Sequence, residues 1–276
     1  MAGTKESLQS TTILITGATD GIGKETAHAL AAMGARTIIH GRDPKKTTRV
    51  KEEVILASGN NEVETAVADL QAMANVRDLA DEIRSRVDNL DVLINNAGTY
   101  QQTYQETPDG FEMNFAVNHL APFLLTNLLL DLIKDSAPAR IITLSSSAHK
   151  SARLDLENLN SEKKFHGWGA YCVSKLGNLL FTFALARRLE GSGVTVNALH
   201  PGTIDTKMLA KLGLEGKSVE KGAETPVYLA SSPDVANVSG EYFRNKQIAE
   251  PSDIARDQAL QEKFWQISAK MVNLRD

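Results

Sequence analysis

A chain of 276 residues with 42% hydrophobic and 23% charged residues has the composition of an ordinary globular protein with an ample core. Its formal net charge of −4 and pI near 5.9 exclude a role built on gripping nucleic-acid phosphates, which needs clustered cationic charge. The single cysteine, Cys172, excludes an internal disulfide, and no paired Cys/His spacing offers a metal site.

In chain order, the opening MAGTKESLQSTT is polar and lacks the apolar centre of a signal peptide. Residues 1–10 are expected to be a flexible tail before a single domain over 11–276. No later run reads as long enough for a transmembrane segment, so the expectation is a cytoplasmic protein. The apolar runs TTILITG, ARTIIHG, EVETAVADL, LDVLINNAG, ARIITLSSS, VTVNALHPG and GEYFRN then alternate with segments of helical spacing. Short, nearly continuous apolar strands between helices predict a parallel sheet covered on both faces, a doubly wound, Rossmann-like α/β fold. A long loop is expected at 207–222.

The stretch ILITGATDGIGKETA runs a strand into Gly17, turns through Ala18, Thr19 and Asp20, and resumes as a helix near Gly21. Such a turn aims several backbone N–H groups at one point, where an anion belongs; glycine permits the dihedrals and the close approach. The spacing G-x-x-x-G-x-G differs from the dinucleotide fingerprint G-x-G-x-x-G in its middle glycine, and a plain strand-to-helix turn also accounts for it. Farther on, Tyr171 and Lys175 stand four residues apart in a long helical pattern and share a face. An ammonium beside a phenol favours the phenolate, so Lys175 is expected to pull the Tyr171 pKa down and make it a usable acid or base. The buried strand of RIITLSSSAH ends in three hydroxyls, Ser145, Ser146 and Ser147.

TGATDGIG, NNAG at 95–98, VNHL at 117–120, YCVSK at 171–175 and HPG at 200–202 together resemble the short-chain dehydrogenase/reductase family, in order and over nearly the whole chain. KGAETPVYLASSPDVANVSGEYF and FWQISAKM are similar to the branch of retinol dehydrogenases and NADPH-dependent carbonyl reductases. The resemblance implies an oxidoreductase moving hydride between NADP(H) and a lipophilic alcohol, aldehyde or ketone, with Tyr171 carrying the proton. It implies that Gly17, Asp20, Gly21, Ile22 and Gly23 hold the pyrophosphate end, with Thr16 as a brace. Arg42, in IIHGRDPKK with Lys45 and Lys46 close by, would pair with a 2′-phosphate, making NADP the expected cofactor rather than NAD. Asp20 and Asp43 weaken that pairing by repulsion. Asp69 and Leu70 would meet the adenine, and Asn95, Ala97 and Gly98 would lie against the cofactor. Ser146 would orient the substrate, with Ser145 and Ser147 as lesser candidates, and Asn118 would hold a water leading to Lys175, which also bonds the nicotinamide ribose. Pro201, Gly202, Ile204 and Thr206 would wrap the nicotinamide, and 207–222 would cover the substrate. Family members often dimerise through the helix after NNAG and the helix carrying the tyrosine, so a homodimer or homotetramer is implied, although some carbonyl reductases are monomers.

Other readings are weaker. Ser146 and His149 lack the G-x-S-x-G elbow of a hydrolase. His28, His40, His119, His149, His166 and His200 have no metal-ligand spacing and read as structural or surface residues. Trp168 and Phe165 suit either a pocket wall or plain packing. The alternative from another class is a non-catalytic, dinucleotide-sensing binding protein on the same fold.

Overall fold

The computed structural model describes residues 7–210, 213 and 215–274. Eight strands form one sheet: β1 Thr12–Ile15, β2 Arg36–Gly41, β3 Val63–Val67, β4 Val92–Asn95, β5 Ala139–Leu144, β6 Val194–His200, β7 Tyr242–Arg244 and β8 Gln247–Ile248. Their order is β3-β2-β1-β4-β5-β6-β7-β8, parallel except for the β7–β8 pair. The order reverses between β1 and β4, and the loops beyond the carboxyl ends of these strands are where such sheets bind ligands.

Between the strands run α1 Gly21–Ala31, α2 Pro44–Ser58, α3 Met73–Arg86, α4 Met113–Phe115, α5 Ala121–Leu128, α6 Leu130–Asp135, α7 Gly167–Arg188, α8 Lys207–Ala210, α9 Val219–Ser231, α10 Asp253–Arg256 and α11 Gln258–Met271. Residues alternate across the sheet. Ile13 and Ile15 join Leu30, Val50, Val54 and Leu229 in the core beneath α1, α2 and α9. Leu14 joins the opposite core with Leu79, Phe123, Leu180 and Phe264, from α3, α5, α7 and α11. Two buried faces explain why these strands are apolar throughout.

The apolar runs of the sequence each yield one of β1 to β7. The eighth strand is too short to show as a run. It follows a tight turn through Asn245 and Lys246, both at positive φ of 51° and 62°, the conformation that suits a two-residue hairpin. Within 207–222, the described residues include the short helix α8 and the start of α9, while 211, 212 and 214 lie outside the described residues.

One expectation needs correction. Among the described residues one helix, α7, is long and apolar enough to cross a membrane by length and composition, but 78% of its apolar window is buried inside the fold. It is the central helix of one core, apolar because protein surrounds it on every side. Part of that surrounding is the C-terminal helix. Helix α11 lies along α7, with Phe264 packed edge-on to Phe115, and Trp265 against Phe123 and Phe181. Residues 174–185 of α7 and 118–126 of the preceding helices are all buried within the one chain.

Candidate active site

The glycine turn is held from three sides. The Thr16 hydroxyl accepts from the N–H groups of Asn96 and Ala97, both at 3.0 Å. Asn96 returns its amide to the carbonyls of Thr16 and Gly17, at 2.7 and 3.0 Å, so the NNAG turn and the glycine turn are locked together. Gly17 has φ +64°, and a Cβ there would stand 2.8 Å from the Ala97 Cα; at Gly23 it would stand 2.3 Å from the Asn96 amide nitrogen and 2.5 Å from the Gly17 oxygen. Asp20 caps α1, accepting from the Gly21 N–H at 2.9 Å. The next N–H groups, of Ile22 and Gly23, lie in the first helical turn, where no intrahelical acceptor exists. Glycines in a strained turn and an open helix N-terminus fit a dinucleotide pyrophosphate.

Asp20 does more than cap. Its other oxygen accepts from Lys46 at 2.7 Å and from Lys207 of α8 at 2.6 Å. Partial burial would raise the carboxyl pKa, but the two ammonium groups hold it at about 2. The repulsion expected of Asp20 toward phosphate is thus neutralised by neighbours the sequence reading placed elsewhere.

At the ends of β2 and β3, Arg42 is exposed and Asp69 half-buried, its carboxylate accepting from the Gln71 backbone and side chain. Leu70 is turned into the core and is 6% exposed, so its side chain packs with α3. Asn95 is likewise turned away from the groove: its amide donates to Thr126 of α5 at 2.9 Å, and any contact from this position is made by its backbone. Ala97 and Gly98 continue the turn, and Gly98 lies beside Asn118 and Lys175.

Asn118 sits in a π-helical turn, Ala116–Leu120, which breaks the α-helical register between α4 and α5. Its oxygen accepts from the Thr99 N–H at 2.7 Å; its amide donates to the Thr99 carbonyl and the Ser174 hydroxyl, both at 3.0 Å. Lys175 is buried and donates to the carbonyl of Leu144 at 3.0 Å. Burial lowers its pKa to about 8.

Tyr171 departs from the sequence expectation. Its phenol is pushed up to about 12 by burial, against a smaller downward pull from the Ser146 hydroxyl. The Lys175 ammonium stands over the ring, 5.7 Å from its centroid, and donates one of its three N–H groups to the Leu144 carbonyl. The three serines separate by their bonds. Ser145 donates its hydroxyl to the Lys175 carbonyl at 2.7 Å, Ser147 opens a short 3₁₀ helix, and Ser146 is the one that meets Tyr171. Ser146 is held from behind by His149, whose Nδ1 lies 2.6 Å from the Ser146 carbonyl and whose Nε2 accepts from the Ser252 N–H at 3.1 Å.

The three serines and Tyr171 line a cavity of about 310 Å³, with Asn118 and Lys175 outside its wall. Ser146 and Tyr171 form part of its wall, and Ile22, Pro201, Gly202, Ile204 and Thr206 face it from the glycine turn and the loop after β6. Trp168 lines it too, stacked on Tyr171 at 5.7 Å, whereas Phe165 pairs edge-on with Tyr104 instead. Met208 and Leu209 of α8, within the segment expected to cover the substrate, line it as well, whereas Tyr100, edge-on to Tyr171 at 5.8 Å, was not anticipated from the sequence. His200 also lines the cavity; its Nδ1 has no partner among the described residues, and burial depresses its pKa to about 4.

The family described as short chain dehydrogenase matches residues 11–216. Human retinol dehydrogenase 13 is 41% identical over 287 aligned residues, covering 98% of this chain and 87% of that protein. Among solved structures, an uncharacterised protein from Mycobacterium paratuberculosis is 35% identical with a TM-score of 0.83, covering 99% of this chain and 97% of that one. A short chain dehydrogenase from Escherichia coli CFT073, solved with NADPH, is 26% identical with a TM-score of 0.75, covering 88% of this chain and 99% of that one.

Proposed function

This chain belongs to the short-chain dehydrogenase family, and we propose that within it the protein is an NADP(H)-dependent oxidoreductase acting on lipophilic alcohols, aldehydes or ketones. The observation that carries this reading is the convergence of Ser146 and Tyr171 on a cavity whose other wall is the Pro201–Thr206 loop and Ile22. A carbonyl oxygen lying between the Ser146 hydroxyl and the Tyr171 phenol would receive hydrogen bonds from both as charge develops on it. The nicotinamide supplies or accepts the hydride when bound.

Tyr171, pushed up to about 12 by burial, keeps its proton through the neutral range, so a bound carbonyl oxygen would meet it as a phenol. Lys175, Asn118 and Ser145 hold the helix and the serine loop around that proton donor. Exposed Arg42 at the end of β2 supports the 2′-phosphate and hence NADP, as do solved relatives that carry that cofactor. The cavity lies at the lower end of the range for small-molecule sites, about 300–1,000 Å³. A compact substrate fits inside; a long one, of the retinoid kind named for the relatives, would extend past Trp168. A single buried cysteine without a disulfide suits the cytoplasm.

The test is oxidation of NADPH and NADH by the purified protein with a panel of lipophilic aldehydes and ketones, beside Arg42→Asp. Turnover preferring NADPH, with the preference lost in Arg42→Asp, supports the reading. An unchanged ratio of kcat/KM between the cofactors removes Arg42 from it. Tight dinucleotide binding with no turnover across the panel favours the sensing protein instead.

A further inference from the structure

His40 is 2% exposed and sits in β2, one residue before the strand ends. Its ring has two partners on two different strand ends. Nδ1 lies 3.2 Å from the Gly17 nitrogen, whose N–H points at it, and Nε2 lies 3.0 Å from the carbonyl oxygen of Ala68, just beyond β3. A backbone N–H can only donate and a carbonyl can only accept, so the two contacts fix the neutral Nε2–H tautomer. The His40 carbonyl adds a third tie, accepting from the Ala18 N–H at 2.9 Å. One residue therefore holds successive amides of the glycine turn and fastens that turn to the end of β3, where Asp69 begins the next loop.

The placement has a reason. Gly17 lies beyond the end of β1, past the sheet ladder, and a shielded N–H without a partner is costly. A water could serve, but water at this point would leave the turn free to relax.

We propose that His40 is a positioning residue for the dinucleotide, holding the glycine turn in its binding shape through the Gly17 N–H. This rests on the reading of the site as a dinucleotide site, and it concerns this chain's own imidazole rather than the cofactor's chemistry.

Two substitutions separate positioning from packing. In His40→Asn the side-chain oxygen stands near the place of Nδ1 and keeps an acceptor for Gly17. In His40→Gln the terminal amide stands near the place of Nε2 and keeps a donor for Ala68 but offers Gly17 nothing. The readouts are NADPH and NADH dissociation constants from nicotinamide fluorescence and the melting temperature without ligand. The expected result is a dissociation constant raised about tenfold in His40→Gln and within about threefold of wild type in His40→Asn, with similar losses of melting temperature. Imidazole nitrogen NMR of the wild type, which needs no variant to fold, should find the Nε2–H tautomer and a shift of the His40 signals on adding NADPH.

Equal weakening in both variants, or His40 signals that ignore NADPH, would overturn the proposal. A wild type that binds neither dinucleotide overturns the reading of the site itself, and His40's role with it.

Discussion

Lys175 lies over the face of the Tyr171 ring at 5.7 Å while its ammonium is bonded away, to the carbonyl of Leu144 at 3.0 Å. In this arrangement Tyr171 is a protonated phenol with a cation near its ring, not a preformed phenolate. Reduction at neutral pH should proceed with the phenol protonated, and Tyr171→Phe should lower kcat by about 10²–10⁴ while leaving NADPH binding unchanged. Turnover near wild type in that variant sinks the assignment of the proton carrier.

The same pair fixes a pH profile. Lys175, held near 8, is charged below that value and neutral above it. Reduction should decline above a pH of about 8 as the cation beside the phenol is lost. In Lys175→Arg the charge persists, so that limb should move to much higher pH even where the rate itself is lower. A wild-type profile flat well beyond this range, followed as kcat/KM, removes Lys175 from the proton balance.

The lock between Asn96 and the glycine turn sets a third expectation. A methyl at Gly23 meets the Asn96 amide and the Gly17 carbonyl at once, and the backbone oxygen cannot swing aside. Gly23→Ala should cost about 1–3 kcal/mol in chemical denaturation and weaken NADPH binding together, because one displacement opens both turns. A variant that melts and binds like wild type contradicts the close approach.

Much of this was legible in the sequence for simple reasons. A strand buried on both faces has to be apolar, so β1 to β7 announce themselves, and a strained turn has to carry glycine, so Gly17, Gly21 and Gly23 do too. Lys175 is legible as a neighbour of Tyr171 from helical spacing, but the direction of its ammonium depends on the Leu144 carbonyl, which spacing cannot reveal. Asn95 and Leu70 share the same difficulty: their strand ends reach the groove while their side chains turn inward. His40 and Lys207 were missed because their partners, Gly17 and Asp20, lie 23 and 187 residues away. Helix α11 has ordinary amphipathic spacing, and nothing in that spacing says which face it covers.

Buried histidines give a prediction about acid. Burial depresses His40 to about 4, His119 to about 3 and His200 to about 4, from an ordinary 6.5. Above the ordinary value these rings are neutral in both states and carry no penalty. As pH falls below it, the unfolded chain takes up protons that the native chain refuses, and stability drops until the native rings protonate near 4. Each tenfold difference in proton affinity is worth about 1.4 kcal/mol. Urea midpoints should therefore fall between about pH 6.5 and 4, above the range where the Asp20 ion pairs are lost. Midpoints constant across that window would mean that the three rings are not held neutral.

The C-terminal helix gives a prediction about association. Phe264 reaches so far into α7 that a Cβ on Gly177 would stand 2.9 Å from its ring, and Ser268, fully buried, meets His119 Nε2 at 2.8 Å. Arg188 lies over Trp265 at 4.0 Å and closes the outer edge of the same contact. With this face filled from within, sedimentation equilibrium should give a mass near the 30.0 kDa of one chain. Phe264→Ala should cost about 3–5 kcal/mol and, by loosening α11, let the exposed apolar face of α7 drive self-association. A wild-type dimer that cross-links through α5 and α7 would show that α11 leaves this face in solution.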